Sequence, residues 1–437
     1  MKRRFGLFLL SFALLTTISV PPAEAAGTRL IVRVDGGLPL IQTVCKLLGC
    51  TVNYGLGDPA GQVFLITTGS LLPNTFLSTL RLQLGVIDAE LDLKGKIQAA
   101  TGTSVPSALY DQTPVTYFGA TVRRGYVNQP ASQIIGIAAT QSKFNVDGAG
   151  IVAVIDTGVD PNHPALVPVL LPGYDFTRNR DSADEKGDVQ QSTAAVVDGV
   201  QPAWVNQSTA AVVDQSTAAV VDGSQTTAFG HGTMVAGIVH LVAPKAWILP
   251  LKAFNADGSG YTSDVIRAVY RAVNANANVL NMSFSFSSSS QQLSQAMTFA
   301  NKKNLILVAS AGNDGKNVAV YPAAYSDRVM GVASTTNTDT RSSFSNYGQP
   351  QVFVAAPGEG VVTTYPWGTY AAAWGTSFST PFVAGAAALL LDVNVSATGS
   401  AAAQSIAHAK VLSNDLANGR LDLYQAVAAW HQALGLK

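Results

Sequence analysis

Three short segments of the 437-residue chain carry side chains that could act together as an acid, a base and a nucleophile. Asp156 ends an apolar stretch in VAVIDTGVD, His231 lies in FGHGTMVAGI, and Ser377 lies in WGTSFSTPFVAG. A serine hydroxyl is a weak nucleophile at neutral pH, so it needs a histidine to take its proton and a carboxylate to orient that histidine. Together the three segments predict acyl transfer by an activated serine.

Each segment alone is a weak signal. An aspartate beside a glycine often only forms a turn, and a serine at the start of a helix often only caps it. The chain order Asp156, His231, Ser377 is more specific, because unrelated folds place these residue types in different orders. With DTGVD, GHGT and GTSFSTP as its three blocks, the sequence resembles the subtilisin-like serine proteases from about residue 128 to residue 427.

The resemblance implies a role for each of these residues and adds a fourth. His231 would be the general base, Asp156 would hold the imidazole in the correct tautomer, and Ser377 would attack the substrate carbonyl. ASAGN at residues 309–313 matches the oxyanion block of the family, so Asn313 would donate its side-chain amide to the oxyanion. The resemblance implies no cofactor for catalysis.

Two further blocks match the substrate-binding strands of the family. LKAFNADGSG (251–260) and LNMSF (280–284) would offer strand edges to an extended peptide. By resemblance, the residues that contact substrate are Gly258, Ser259, Gly260, Tyr261, Ser283, Phe284, Ser285 and Val320. Tyr261 would line the pocket four residues before the cut, with packing in the core as the alternative. Ser285 and Val320 stand where family members often have glycine, so we expect a small apolar primary pocket that prefers Ala, Val or Leu.

Other stretches place the catalytic segments in a longer precursor. Three basic residues, an apolar stretch and an A-x-A site predict a signal peptide over residues 1–25, and hence a secreted, extracellular or periplasmic, protein. Residues 26–93 show a β-α-β-β-α-β pattern, a small α+β ferredoxin-like unit that resembles the propeptide of the family. Residues 94–127 lose periodicity, so we expect an exposed linker that contains the processing site. The catalytic domain would then span residues 128–437.

The catalytic part alternates strands and helices. Near-continuous apolar stretches predict strands at 151–156, 248–254, 279–285 and 305–311. Helices of roughly 10–15 residues between such strands are typical of a parallel sheet covered on both faces, so we expect an α/β, subtilisin-like three-layer fold. The octamer QSTAAVVD occurs three times within residues 191–222. We interpret it as a surface insertion, either a tolerated duplication or an arm that gates substrate.

Composition excludes several classes of function. The 27 Lys and Arg residues balance 27 Asp and Glu residues, and 47% of the chain is hydrophobic. These values argue against nucleic acid or an anionic membrane as a partner, and against a largely disordered chain. We expect no stable membrane anchor after removal of the signal peptide. The resemblance implies a monomer that acts on protein or peptide substrates, with its own propeptide as intramolecular inhibitor and folding aid.

Three points stay open. Cys45 and Cys50 could form one local disulfide or remain a buried thiol pair. A hard-oxygen cluster that could bind structural Ca²⁺ weakly is formed by Asp181, Asp184, Glu185 and Asp188. A solvated charged loop is the simpler interpretation of that cluster, and we assign no metal site. The alternatives to a protease are a catalytically silent binding protein with the same fold and an α/β-hydrolase, although the chain lacks the second glycine of G-x-S-x-G.

Overall fold

The computed structural model of the protein describes residues 27–97, 104–188, 203–205, 210–212 and 227–436. The signal peptide predicted for residues 1–25 and most of the octamer insertion lie outside these residues. The described residues form an N-terminal unit up to residue 93 and a larger main unit from residue 104.

The N-terminal unit is an antiparallel sheet with two helices on one face. Its elements are β1 (Thr28–Val34), α1 (Gly37–Leu48), β2 (Cys50–Gly55), β3 (Val63–Thr68), α2 (Pro73–Arg81) and β4 (Val86–Leu91). The strand order β2-β3-β1-β4 is ferredoxin-like, as the sequence predicts. Successive strand residues face opposite sides, so Leu30 and Val32 of β1 pack with Ile41 of α1 and Leu80 of α2, whereas Ile31 packs against the main unit.

A disulfide joins the end of α1 to the start of β2. Gly49 adopts a left-handed conformation (φ 73°) that ends the helix and reverses the chain. The reversal brings the Cα atoms of Cys45 and Cys50 to 4.5 Å, and the two sulfur atoms are bonded. Of the two alternatives for these cysteines, the structure shows the disulfide.

Residues 104–127 are not the exposed linker that the sequence suggests. The segment from Lys94 contains β5 (Lys94–Lys96), β6 (Pro114–Tyr117), β7 (Ala120–Arg123) and α3 (Arg124–Val127). Tyr126 is fully buried, and its hydroxyl donates to the carbonyl of Gly237 at 2.7 Å. The hydroxyl of Tyr117 donates to the carbonyl of Leu241 at 2.6 Å. The prediction is therefore wrong for this stretch, because isolated aromatic residues hold it against the main unit without producing a periodic pattern.

The main unit continues with alternating helices and strands. Its elements are α4 (Pro130–Ile134), α5 (Ile137–Phe144), β8 (Ile151–Asp156), β9 (Tyr174–Asp175), β10 (Arg180–Asp181), β11 (Ala203–Val205), β12 (Ala210–Val212), α6 (His231–Val242), β13 (Trp247–Lys252), β14 (Ser259–Tyr261), α7 (Thr262–Asn274), β15 (Val279–Met282), α8 (Gln291–Lys302), β16 (Ile306–Ser310), β17 (Val329–Thr335), β18 (Val354–Pro357), β19 (Val361–Tyr365), β20 (Thr369–Ala373), α9 (Thr376–Val393), α10 (Gly399–Ile406) and α11 (Leu423–Ala433). The predicted strands and helices are present, and most of their ends shift by one to three residues.

An eight-stranded sheet with the order β10-β9-β13-β8-β15-β16-β17-β18 forms the centre of the main unit. All pairs are parallel except β9 with β10 at one edge. Val152 and Val154 of β8 belong to the core under α6 and α9, whereas Ala153 and Ile155 belong to the core under α7 and α8. This alternation confirms the predicted three-layer α/β fold.

Helix α9 crosses the middle of the main unit. Among the described residues it is the one helix long and apolar enough to cross a membrane, and 89% of it is buried inside the protein. An apolar helix with this degree of burial is a core helix. Its first turn carries Ser377 to the carboxyl ends of the central strands.

A second, smaller sheet has the order β11-β12-β20-β19. Ala211 and Val212 of β12 pair with Ala372 and Ala371 of β20 in antiparallel register. β12 belongs to the second octamer, so the insertion is joined to the main unit through backbone pairing. The remaining residues of 191–222 lie outside the described part of the chain.

The two units meet through carboxylates on and after β4. Glu90 accepts the backbone N–H of Gln291 (2.8 Å) at the start of α8. Asp92 accepts both the backbone N–H and the hydroxyl of Ser263 (2.8 Å each) at the start of α7, and it pairs with Arg29 at 2.8 Å. Helix N-termini carry unpaired N–H groups and a partial positive charge, so these contacts favour the docked arrangement.

Candidate active site

Asp156 is the last residue of β8, at the carboxyl end of the central sheet. It is 1% exposed, and its Oδ1 accepts the backbone N–H of Thr157 at 2.7 Å. In open parallel sheets this edge is where ligands bind, because the strands end there and the loops diverge. The carboxylate is thus fixed at the edge at which the sequence analysis expects the site.

His231 is the first residue of α6, and two glycines place it. Gly230 has a left-handed φ of 84°, and a Cβ on Gly232 would overlap the carbonyl oxygen of Gly158. The start of α6 can therefore lie directly on the loop after β8. Nδ1 of His231 is 2.7 Å from Oδ1 of Asp156, a hydrogen bond that puts the proton on Nδ1 and leaves Nε2 as the acceptor. Nε2 is buried and hydrogen-bonds to no described residue.

Ser377 is the second residue of α9 and lies against β15. Its hydroxyl donates to the carbonyl of Ser283 at 3.0 Å, and the hydroxyl of Ser283 donates to the carbonyl of Ser377 at 2.8 Å. The imidazole of His231 lies beside the same turn, with its ring centroid 5.1 Å from that of Phe378. Transfer of the Ser377 proton to His231 would require the hydroxyl to leave the Ser283 carbonyl by rotation about χ1.

Asn313 lies in the loop after β16 and faces the start of α9. Its Oδ1 accepts the backbone N–H and the hydroxyl of Thr376, each at 2.9 Å. These two donors fix the orientation of the amide, so that Nδ2 is directed toward the turn at Gly375, 3.3 Å from where a Cβ on that residue would lie. The amide is in place to donate to an oxygen that develops negative charge beside Ser377.

The acidic loop before the insertion is exposed at Asp181 and buried at Glu185. Glu185 is fully buried, and Oδ2 of Asp188 accepts a hydrogen bond from the buried Lys252 at 2.6 Å. Asp188 also pairs with Arg178. The carboxylates of Glu185 and Asp188 thus already have N–H, O–H and cationic partners, and weak Ca²⁺ binding by the four predicted residues stays a prediction. The interpretation as a solvated charged loop holds for Asp181 but not for Glu185 or Asp188, because Lys252 is buried beneath this loop and requires a nearby anion.

Glu185 connects the two elements that carry Asp156 and His231. Its Oε2 accepts the hydroxyl of Thr157 (2.9 Å) and the N–H of Gly230 (2.8 Å), and its Oε1 accepts the hydroxyl of Thr233. Burial raises the pKa of Glu185 to about 8, against these hydrogen bonds. From the sequence, Glu185 is only a member of a possible calcium cluster, and no local signal links it to the GHGT block, which begins 45 positions later at Gly230.

Two strand edges form the walls of a cleft next to Ser377, and a segment of the same chain lies between them. β5 pairs antiparallel with β14, with Lys96 opposite Ser259 and Lys94 opposite Tyr261. Lys96 also pairs with Ser285 on the other wall. The N–H of Ile97 donates to the carbonyl of Gly258 at 2.8 Å. The edges identified by resemblance therefore bind an extended peptide as an added strand.

The other residues predicted to contact substrate differ in how they face the cleft. Gly260 pairs with Gly95 on the first wall. The side chain of Phe284 is 1% exposed and packs on Phe254, with ring centroids 4.7 Å apart, so only its backbone faces the cleft. The ring of Tyr261 lies 4.1 Å from the guanidinium of Arg29 and faces the N-terminal unit, not the core.

Val320 lies next to the oxyanion loop. It is 6% exposed, and its Cγ2 is 3.3 Å from where a Cβ on Gly312 would lie. Gly312 itself has a positive φ of 96° and directly precedes Asn313. A methyl group of Val320 thus lies beside the loop that carries the amide, where the resemblance puts the bottom of the primary pocket.

Comparison with known proteins agrees with this geometry. The sequence model of the subtilase family matches residues 148–427. Thermitase from Thermoactinomyces vulgaris is 35% identical over 294 residues, which are 67% of this chain and 93% of thermitase. Subtilisin Savinase from Lederbergia lenta is 40% identical over 176 residues, or 38% of this chain and 65% of Savinase.

A solved structure extends the likeness in fold. Fervidolysin from Fervidobacterium pennivorans, described as a keratinolytic enzyme related to subtilisin, superposes with a TM-score of 0.69 at 21% identity. The match covers 92% of this chain and 61% of that chain, so the protein spans less than two thirds of fervidolysin. The family match and the identity to thermitase carry the assignment, and the chain belongs to the subtilase family of serine proteases.

Proposed function

We propose that the protein is a secreted endopeptidase that uses Asp156, His231 and Ser377 and is made as a self-processing precursor. The observation that carries the proposal is the cleft beside Ser377, in which Lys94–Ile97 of the same chain already lies as an extended strand. A site that binds backbone on two edges suits a peptide substrate, because main-chain hydrogen bonds hold many sequences alike.

In the proposed reaction, His231 first takes the Ser377 proton on Nε2 while Oγ attacks the substrate carbonyl carbon. The carbonyl oxygen becomes an oxyanion, to which Nδ2 of Asn313 and the backbone N–H of Ser377 donate. Asp156 holds the imidazole through Nδ1 and stabilises its positive charge. The imidazolium then protonates the leaving amine, and the C–N bond breaks to leave an acyl-enzyme. Water, activated by His231, hydrolyses the ester, and no step requires a metal or cofactor.

The register of β5 points to one bond for self-processing. Lys96 pairs with Ser285. Gln98 lies outside the described residues, and we propose that it continues this antiparallel register, which would place it at Ser283. Ser283 is the residue whose carbonyl accepts the Ser377 hydroxyl. Gln98, the second residue after Lys96, is therefore the one whose carbonyl we expect to be attacked, and the proposed cut is Gln98–Ala99.

The N-terminal unit acts, in this proposal, as an intramolecular inhibitor and folding aid. Glu90 and Asp92 hold it on the N-termini of α8 and α7, and β5 fills the substrate cleft. A strand that occupies the cleft excludes other peptides until it dissociates. The signal peptide supports secretion, and we propose that the mature enzyme acts as a monomer.

An activity-based probe tests this proposal. The chain expressed without residues 1–25 is incubated with a fluorophosphonate, and the labelled residue and the new N-terminus are mapped by mass spectrometry. We expect the label on Ser377 and a new N-terminus at Ala99, and an intact, unlabelled chain for Ser377→Ala. A folded wild-type chain that is neither cut nor labelled, even after the N-terminal unit is removed by another protease, would favour the silent binding protein.

The primary pocket should select small apolar side chains at the cleaved position. Peptides with Ala, Val or Leu there should be hydrolysed about tenfold faster, in kcat/KM, than the matched peptide with Phe, because Val320 and Ser285 both add atoms to the pocket. Val320→Gly should raise kcat/KM for the Phe peptide about tenfold. Val318→Gly, at a partly exposed neighbouring position, should leave the order unchanged. Faster cleavage after Phe by the wild type would contradict the prediction.

A further inference from the structure

Gly95 is the one position of the bound segment at which the second wall leaves no room for a side chain. An ideal Cβ on Gly95 would overlap the ring of Phe286, at 2.6 Å from Cδ1 and 3.0 Å from Cζ, with Cε1 also in contact. On the first wall, Gly95 pairs with Gly260. Gly260 also has no room for a side chain, because a Cβ on it would lie 2.6 Å from the carbonyl oxygen of Ala253. The segment at Gly95 is therefore enclosed between a backbone and an aromatic ring.

The neighbouring positions of the segment accept side chains. Successive residues of a strand face opposite sides, so Lys94 and Lys96 point to solvent and are exposed, whereas Gly95 and Ile97 face the enzyme. Ile97 is 4% exposed and belongs to the apolar core of the cleft. The enzyme thus encloses an isoleucine at one inward position and only a glycine at the other.

Phe286 is held in place. Its N–H donates to the carbonyl of Tyr321 at 2.8 Å, and the N–H of Tyr321 donates back at 2.9 Å. Its side chain is 3% exposed, and its ring packs edge-on to Phe284 with centroids 5.9 Å apart. Swinging the ring away would require Phe284 and the core around it to repack, and well-packed cores resist added atoms.

We infer that Phe286 closes the pocket for the fourth residue before the cleaved bond, and that the protease selects glycine at that position. The position follows from the proposed cut after Gln98, counted back to Gly95, so the inference rests on the proposed function. A side chain larger than hydrogen must displace the Phe286 ring or pull the substrate strand away from β14. Either movement misplaces the carbonyl beside Ser377 and slows acylation.

Matched peptides test the inference. A fluorogenic series that differs only at the fourth residue before the cut (Gly, Ala, Val, Phe) is hydrolysed by the mature enzyme. We expect kcat/KM to fall about tenfold to hundredfold from Gly to Ala, and further for Val and Phe. Phe286→Ala should remove most of this preference, so that Ala and Val peptides approach or exceed the Gly peptide. Phe299→Ala, a control ring on the outer helix α8, should keep the wild-type order.

A second experiment does not depend on the folding of a Phe286 variant. Gly95→Ala in the full precursor should lengthen the half-time of self-cleavage at least about tenfold, whereas Lys96→Ala, at the exposed neighbour, should leave it nearly unchanged. Equal turnover of the Gly and Ala peptides by the wild type, or normal self-cleavage of Gly95→Ala, would overturn the inference while leaving the protease intact. Hydrolysis of no peptide in the series, with no fluorophosphonate labelling, would instead overturn the proposed function.

Discussion

His231→Ala lowers kcat on a good peptide substrate by about 10⁴-fold or more, with little change in KM. The expected loss is large because, in the proposed reaction, Nε2 of His231 takes the Ser377 proton and later protonates the leaving amine. The imidazole does not bind the substrate backbone, which lies on β14 and Ser285. Steady-state kinetics on the Ala or Leu peptide measure the change, and the precursor of this variant should stay uncut.

His408→Ala is the matched control for that variant. His408 is exposed in the short turn after α10 and contacts the carbonyl of Gln404. Its removal should leave kcat within about twofold of the wild type, because surface substitutions away from functional features change little. If His231→Ala kept a tenth of the wild-type kcat, the role of His231 as general base would be rejected.

Asn313→Leu lowers kcat by about 10²–10³-fold and leaves KM nearly unchanged, because the donated hydrogen bond forms only as the oxyanion develops. Leucine has nearly the shape of asparagine, but it removes both the donor and the acceptor for Thr376. Asn313→Asp keeps the acceptor for Thr376 but replaces the donor with a negatively charged oxygen that repels the oxyanion, so it should lose at least as much activity. Kinetics and thermal melting of both variants separate the chemical loss from a loss of stability.

Thr376→Val completes this comparison. It removes the hydroxyl that orients Oδ1 of Asn313 but leaves the backbone N–H donor and the amide itself. We expect a smaller loss of kcat than in either Asn313 variant, about tenfold. A fully active Asn313→Asp would show that residue 313 only shapes the turn.

Much of the fold was predictable because burial on two faces leaves a local pattern. The strand IVAVID ends at Asp156 in the structure, as the apolar stretch predicts, and α8 (Gln291–Lys302) lies between the strands predicted at 279–285 and 305–311. The contact between His231 and Asp156 was predictable for a different reason, since short glycine-containing blocks keep their spacing where a backbone must approach closely. Gly232, which has no room for a Cβ above Gly158, is such a position.

Contacts between distant segments were not predictable in the same way. Residues 104–127 show no periodicity, yet the hydroxyl of Tyr126 reaches Gly237, 111 positions along the chain. Glu185 was assigned to a charged loop because no local pattern shows that its carboxylate lies beneath Thr157 and Gly230. The overlap of Gly95 with Phe286 likewise depends on the register in which two separate segments meet.

A hydrogen bond joins the two ends of the segment that contains the octamer insertion. Glu185 precedes the insertion and Gly230 follows it, and the hydrogen bond between them joins the two ends directly beneath His231. The entropic cost of closing a loop grows slowly with the length of the loop. Residues added between Glu185 and Gly230 therefore change the free energy of loop closure only slightly. A change in the length of the insertion should therefore leave the backbone around His231 in place.

The three copies also repeat the sequence of the strand that pairs with β20. Residues 210–212 supply Ala-Ala-Val, and the same letters recur at residues 194–196 and 218–220. Because every copy carries the same Ala-Ala-Val sequence, removal of one whole octamer would keep a sequence that can pair with β20 and would keep the hydrogen bond from Gly230 to Glu185.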